Sequence, residues 1–125
     1  MMKALVVDDS AVMRKILTDA LERAEMTEVK HAKDGQEAVD ACNADEFELI
    51  LMDWNMPNML GIDAVRAIRE NGKSMPIIMV TTEAERSRVI EALQAGANNY
   101  IIKPFESDTL VEKIKGVLEK AKLQA

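Results

Sequence analysis

The chain has 125 residues, the size of one compact domain, and 48% of them are hydrophobic. Its 16 basic and 22 acidic residues give a net charge of −6, which argues against nucleic acid and anionic membranes as partners. One cysteine and one histidine exclude a disulfide framework, a cysteine zinc site and a histidine-rich metal cage. We therefore expect residues 1–125 to form a single monomeric domain without a separate output module.

The apolar runs are much too short to span a membrane. The first run ends at Asp8, before the hydrophobic core of a signal peptide could develop. We expect a cytoplasmic protein.

Five short apolar runs alternate with five segments of helical periodicity. The runs at residues 3–7, 28–32, 49–52, 76–80 and 100–102 predict strands. Helices are predicted at 13–24, at 34–45, at 62–68 with an end near 71–72, at 89–93 with an end at 96, and at 110–118. Asp34 opens the second helix with Glu37 three residues later, which is the spacing of a capping box.

Five βα repeats with continuously apolar strands predict an α/β fold with a parallel sheet covered by helices on both faces. Right-handed crossovers then give a doubly wound (βα)5 sandwich of the flavodoxin-like type. We expect the strand order 2-1-3-4-5, because the second strand, which contains Val29, is polar enough for an edge.

Ligands of such sheets bind beyond the carboxyl ends of the strands, where the strand order reverses. Asp8 and Asp9 follow the first strand and Asp53 follows the third, so three carboxylates should converge there. Mutually repelling carboxylates need raised pKa values or a cation, and their oxygens suit Mg²⁺ or Mn²⁺. The alternative is that each aspartate only caps a helix.

Two further residues lie at neighbouring strand ends, namely Thr81 after the fourth strand and Lys103 after the fifth. A phosphoryl group on Asp53 would require this combination. A metal and a lysine would neutralise its oxygens, while a hydroxyl would donate a hydrogen bond.

The sequence resembles the receiver domain of two-component response regulators, most closely its stand-alone chemotaxis members, over essentially the whole chain. The residues that carry the resemblance are Asp8-Asp9, Asp53-Trp54-Asn55-Met56-Pro57-Asn58-Met59, Gly61, Thr81, Tyr100 and Lys103-Pro104-Phe105.

The resemblance implies that Asp53 accepts a phosphoryl group from a histidine of a partner kinase. It implies a Mg²⁺ site formed by Asp9, Asp53 and the backbone carbonyl of Asn55, with Asp8 acting through water. Lys103 would pair with the phosphoryl group, and Lys103-Pro104 would be a cis peptide.

The family also implies a switch in which Thr81 moves towards the phosphoryl group and Tyr100 swings inward. Asn55 and Glu83 are at positions that set the lifetime of the phosphoryl group. A protein of this kind catalyses only its own phosphorylation and dephosphorylation. Its partners would be a histidine kinase, a phosphatase, and a target such as a flagellar motor switch protein. The target would dock on the fourth helix, fifth strand and fifth helix.

Three alternatives stay open. The chain could be a phosphorelay intermediate, a phosphate-independent adaptor, or a small aspartyl-phosphate phosphatase of the haloacid dehalogenase type. Leu60, Thr82 and Glu85 depart from the family pattern, and Trp54, beside Asp53, is expected to be partly exposed.

Overall fold

The computed structural model describes residues 2–124 and contains five strands and five helices in strict alternation. The strands are β1 Lys3–Val7, β2 Glu28–Ala32, β3 Leu49–Met52, β4 Ile77–Thr81 and β5 Asn99–Ile102. The helices are α1 Ala11–Arg23, α2 Gly35–Ala44, α3 Gly61–Glu70, α4 Arg86–Ala95 and α5 Ser107–Gln124. All strand pairs are parallel and the order is β2-β1-β3-β4-β5, so the predicted fold and strand order are confirmed.

The sheet separates two hydrophobic layers, because alternate residues of a strand face opposite sides. In β1, Leu5 and Val7 pack against the side that carries α2, α3 and α4. Ala4 and Val6 pack against the side that carries α1 and α5. Strands β1, β3 and β4 are buried almost throughout, which explains their continuous apolar runs.

The second strand is the edge of the sheet, as its polarity predicts. Lys30 and His31 are exposed, and only Ala32 of this strand is fully buried. Strand β2 pairs with β1 alone among residues 2–124.

Helix ends follow local chemistry. The Asp34 carboxylate accepts the Glu37 N–H at 2.8 Å and caps α2, as the capping-box spacing predicts. In return, the Glu37 carboxylate accepts the N–H of Lys33, the residue before the cap, at 2.8 Å. Helix α4 ends at Ala95 and is followed by Gly96, whose φ of +120° is a conformation that favours glycine.

The longest helix, α5, has 18 residues and presents Leu110 and Ile114 to the core. Its opposite side carries charged residues such as Lys115 and Glu119. Among the residues that the structure describes, none of the helices combines the length and apolar character needed to cross a membrane.

Candidate functional site

Three aspartates meet at the carboxyl ends of β1 and β3. Asp8 and Asp9 follow β1, and Asp53 follows β3, which is the neighbouring strand. One carboxylate oxygen from each of the three lies within 4.8 Å of the others. Asp8 is 1% exposed and Asp53 is 7% exposed, whereas Asp9 is exposed to solvent. The structure thus brings together the three carboxylates that the strand ends predict.

Lys103, at the end of β5, reaches into this cluster. Its Nζ lies 2.8 Å from Oδ2 of Asp8 and 3.4 Å from Oδ2 of Asp53. The Oδ1 atoms of these aspartates accept backbone N–H groups, from Ser10 at 2.9 Å and from Trp54 at 2.7 Å. One ammonium therefore serves two buried carboxylates.

The alternative that the aspartates cap helices does not fit these contacts. Helix α1 is capped by the Oγ of Ser10, which accepts the Met13 N–H at 3.2 Å. Helix α3 begins at Gly61, eight residues after Asp53, with no side-chain cap. Asp8, Asp9 and Asp53 therefore do not cap α1 or α3.

The electrostatics of the cluster favour a cation. Burial raises the pKa of the Asp53 carboxyl, the neighbouring Asp8 raises it further, and Lys103 only partly opposes this. Asp9 has no side-chain hydrogen bond within residues 2–124, and neither does the backbone carbonyl of Asn55 in that range. Three carboxylates and a carbonyl are oxygen donors of the kind that Mg²⁺ and Mn²⁺ prefer. These residues therefore fit a divalent cation.

The loop after Asp53 is held by close packing. A Cβ atom on Gly61 would lie 1.8 Å from the carbonyl oxygen of Asp53, so only glycine fits at this position. The Gly61 N–H donates to the Trp54 carbonyl at 2.8 Å. Farther along, Nδ2 of Asn58 donates to Asp34 at 2.7 Å, which ties this loop to the start of α2.

Thr81 and Tyr100 both contact the backbone of Glu83. Thr81 is fully buried, and its Oγ1 accepts the Glu83 N–H at 3.2 Å. The Tyr100 hydroxyl donates to the Glu83 carbonyl at 2.6 Å. Burial and the Glu83 carboxylate raise the pKa of Tyr100 to about 12. Tyr100 is 9% exposed, so its side chain is largely buried beside the loop that contains Glu83.

A side-chain bridge crosses the site between two loops. Nδ2 of Asn55, in the loop after β3, donates to Oε2 of Glu83, in the loop after β4, at 2.9 Å. The structure thus pairs the two residues that flank Asp53, although they are 28 positions apart in the chain.

The expectation that Trp54 is partly exposed is wrong. Its side chain belongs to the core layer beneath α2, α3 and α4 and is only 3% exposed. The guanidinium of Arg88 lies over the ring, with Cζ 5.5 Å from the ring centroid. The indole is covered by a side chain of α4 that the strand pattern could not place.

Sequence reasoning missed two arginines near the site. Nη1 of Arg14 donates to the Asp8 carbonyl at 2.6 Å, and Arg88 covers Trp54. Each lies in the first turn of its helix, α1 or α4, and neither first turn contains an acidic residue. A cation there opposes the helix dipole, but Arg86 lies in the same turn of α4, so this pattern alone does not single out Arg88.

The remaining expected features lie where the sequence places them. Lys103-Pro104 is a cis peptide bond. Leu60 precedes the first turn of α3 and is exposed, as are Thr82 and Glu85 in the segment before α4.

Family models and curated sequences both place known proteins close to this chain. Residues 4–115 match the family model described as the response regulator receiver domain. The chemotaxis protein CheY of Pseudomonas aeruginosa is 44% identical, with 95% of this chain and 98% of the relative covered. The chemotaxis protein CheY1 of Helicobacter pylori is 46% identical, with 94% and 97% covered.

Solved structures agree with these sequence matches. The chemotaxis protein CheY4 of Vibrio cholerae has a TM-score of 0.85 and 37% identity, with 94% of this chain and 98% of that chain covered. A CheY-like receiver domain protein of Methanospirillum hungatei has a TM-score of 0.90 and 31% identity, with 100% and 99% covered. The predicted resemblance is confirmed, and the chain belongs to the response regulator receiver-domain family of two-component signalling.

Proposed function

We propose that this chain acts as a single receiver domain that accepts a phosphoryl group on Asp53 from a histidine kinase and signals by docking to a target protein. The observation that carries the proposal is the cluster of Asp8, Asp9 and Asp53 with Lys103 reaching two of the three carboxylates. The similarity to chemotaxis proteins supports a role in chemotaxis, with control of a flagellar motor as the output.

The chemistry is an in-line displacement at phosphorus. An oxygen of the Asp53 carboxylate attacks the phosphorus of a phosphohistidine, the P–N bond breaks, and the imidazole nitrogen leaves. Mg²⁺, held by Asp9, Asp53 and the Asn55 carbonyl with Asp8 acting through water, would supply positive charge for the phosphoryl oxygens. Lys103, 3.4 Å from Asp53, is close enough to pair with the same oxygens.

Loss of the phosphoryl group reverses the modification. Water attacks the phosphorus, the bond to the Asp53 oxygen breaks, and inorganic phosphate leaves while the carboxylate is regenerated. Asn55 and Glu83 flank Asp53 and are bonded to each other, so they control how water approaches. This arrangement supports their assignment as the residues that set the phosphate lifetime.

The switch would run from Asp53 through Thr81 and Tyr100 to the face formed by α4, β5 and α5. A phosphoryl group on Asp53 offers the O–H of Thr81 a strong acceptor, and movement of Thr81 towards it would lengthen the present contact in which Oγ1 accepts the Glu83 N–H. Tyr100 bonds to the same residue and would respond to any movement of Glu83. Ile90, Leu93 and Ile102 are large apolar side chains exposed on this face, and they support docking there.

The fluorescence of Trp54, the single tryptophan, tests acceptor chemistry directly. We expect a Mg²⁺-dependent change on adding acetyl phosphate or beryllofluoride, because Trp54 adjoins Asp53 and its backbone N–H donates to the Asp53 carboxylate. The Asp53→Asn variant should show no response to either reagent. An equal response in that variant would contradict the assignment of Asp53.

The Lys103→Ala variant tests coupling between the site and the docking face. We expect Asp53 to accept a phosphoryl group in this variant, while phosphate-dependent binding of the target falls at least tenfold, because the ammonium that orients the phosphoryl oxygens is gone. Binding can be measured by titrating the target with the beryllofluoride-treated protein. Unchanged phosphate-dependent binding would refute the role of Lys103.

The two alternative functions, a phosphorelay intermediate and a phosphatase, predict different results in phosphate-transfer assays. A phosphorelay intermediate would transfer the group from Asp53 to a histidine of a second protein. A phosphatase would release many equivalents of phosphate from a small phosphomonoester, whereas a receiver domain accepts one equivalent and releases it slowly.

A further inference from the structure

We propose that Arg88 is a positioning residue that holds Glu83 across the mouth of the Asp53 site and thereby slows both entry and loss of the phosphoryl group. The proposal rests on the proposed function for its kinetic part. It concerns a side chain on α4 that does not touch the acidic cluster.

Arg88 contacts both elements that border Asp53. Its guanidinium lies over the ring of Trp54, the residue that follows Asp53, at 5.5 Å from the centroid. Its Nε lies 3.7 Å from Oε1 of Glu83. The other Glu83 oxygen, Oε2, accepts the Asn55 amide at 2.9 Å. Arg88 thus pairs with one carboxylate oxygen at ion-pair distance, while the other oxygen accepts the hydrogen bond that joins the two loops.

The guanidinium is itself held in place from the other side. Nη1 of Arg88 lies 3.1 Å from Oε1 of Glu91, and Oε2 of Glu91 lies 2.9 Å from Nη2 of Arg66 on α3. Arg66 also pairs with Asp63. Single exposed ion pairs contribute little, but a network that shares its members restricts each side chain at a lower entropic cost. Arg88 is therefore restrained where it meets Glu83.

The consequence concerns access to Asp53. Asn55 and Glu83 flank the carboxylate on its two neighbouring loops, and their hydrogen bond joins those loops. Without Arg88, Glu83 loses its cation and samples positions away from Asn55 more often. Water and small phosphodonors would both have to pass this bridge to reach Asp53, so hydrolysis and phosphorylation should accelerate together.

The experiment compares Arg88→Ala with Arg86→Ala. Arg86 lies in the same helical turn, is exposed, and forms no ion pair with a carboxylate within the described residues 2–124, so its removal controls for lost positive charge. In Arg88→Ala we expect the rates of autodephosphorylation and of phosphorylation by acetyl phosphate each to rise about two- to fivefold relative to Arg86→Ala. Equal rates in the two variants would overturn the proposal.

A conservative variant and a second partner sharpen the test. Arg88→Lys keeps the charge and should recover at least part of the wild-type rates. Glu83→Gln keeps an acceptor for Asn55 but loses the charge that Arg88 holds, so it should accelerate both reactions as Arg88→Ala does. The double variant should then be no faster than either single variant. Multiplying effects would show that Arg88 does not act through Glu83.

A measurement without phosphate separates this proposal from the proposed function. In the unphosphorylated protein, acrylamide should quench Trp54 more strongly in Arg88→Ala than in wild type or Arg86→Ala, because the guanidinium covers the ring. Equal quenching in all three proteins would refute the contact. If wild type accepted no phosphoryl group, the proposed function would fail, and quenching would still decide whether Arg88 orders this loop.

Discussion

Asp45 and Asp53 are the same residue type at opposite ends of one sheet, and their surroundings shift their pKa values in opposite directions. Asp45 lies near the amino ends of β1 and β2, where Lys3 and Lys30 contact it at 2.8 Å and 2.9 Å. Hydrogen bonds from these two lysines hold its pKa below the ordinary value. Asp53 shares one lysine with Asp8, and burial raises its pKa.

The difference separates structural charge from functional charge. At the amino end, a partly exposed carboxylate contacts two lysines, one of which also pairs with Glu28, and its charged form is stabilised. At the carboxyl end, Asp8 and Asp53 are buried and Asp9 is close by, with too little positive charge for all three. A group whose charged form is disfavoured in the folded protein is typical of a functional site.

The largest expected effect concerns the packing that holds Asp53. Gly61→Ala should lower the free energy of unfolding by roughly 2–4 kcal/mol, because the new methyl group would meet the Asp53 carbonyl and force the loop to move. Gly116→Ala is the control, since a Cβ added at this position on α5 would meet no neighbouring atom within 4 Å. It should instead stabilise the helix by about 0.5–1 kcal/mol. Urea unfolding of both variants checks the opposite signs, and a tolerated Gly61→Ala would contradict the close approach.

The next effect concerns the excess negative charge. In metal-free buffer at neutral pH, Asp53→Asn should raise the free energy of unfolding by about 1 kcal/mol, because a buried and repelled charge is removed. The folded pKa of Asp53 is raised, so the wild-type carboxyl is unfavourable above that pKa and the advantage of the variant should vanish in acid.

With Mg²⁺ present, we expect wild type to become more stable than Asp53→Asn. A cation that binds the folded state stabilises it by mass action, and the wild-type cluster offers one more carboxylate than the variant does. Thermal unfolding with and without Mg²⁺ measures both effects. A variant that is less stable than wild type in metal-free buffer would contradict the excess of negative charge at this site.

The smallest effect belongs to the amino end. Asp45→Asn should destabilise the protein slightly at neutral pH, because both lysine contacts weaken. The folded pKa of Asp45 is lowered, so its contribution is present above about 4 and is lost as the pH falls towards the lowered value. Glu119→Gln, which removes an exposed charge on α5, serves as the control. Unfolding midpoints of wild type and Asp45→Asn, measured between about pH 3 and about pH 7, give the difference in stability as a function of pH. A difference that stays constant across that range would contradict the assignment.

Much of the fold follows from apolar runs and their period. Strands β1, β2 and β3 begin and end at the predicted residues. The buried strands β1 and β3 are apolar runs bounded by charged residues, whereas the edge strand β2 is marked by its mixed polar and apolar residues. Strand β4 is shifted by one residue and includes Thr81, whose hydroxyl bonds to backbone beyond the strand. The strand therefore ends at the threonine, one residue later than the apolar run predicts.

The candidate site could be predicted only in part. Residues at the ends of parallel strands must share one edge of the sheet, which brought Asp8, Asp53 and Lys103 together. The burial of Trp54 and the contacts of Arg88 depend on how α4 packs over the loop after β3, and no period in the sequence reports that packing. The same holds for the contact of Tyr100, whose hydroxyl donates to the Glu83 carbonyl.

The central claim is that Asp53 accepts a phosphoryl group, and intact-protein mass spectrometry tests it most directly. Wild type and Asp53→Asn are incubated with acetyl phosphate and Mg²⁺, and the modified peptide is then mapped. We predict one phosphoryl group in wild type, on the peptide that contains Asp53, and none in the variant. An adduct of equal amount in both proteins, or no adduct in wild type at saturating Mg²⁺, would contradict the claim.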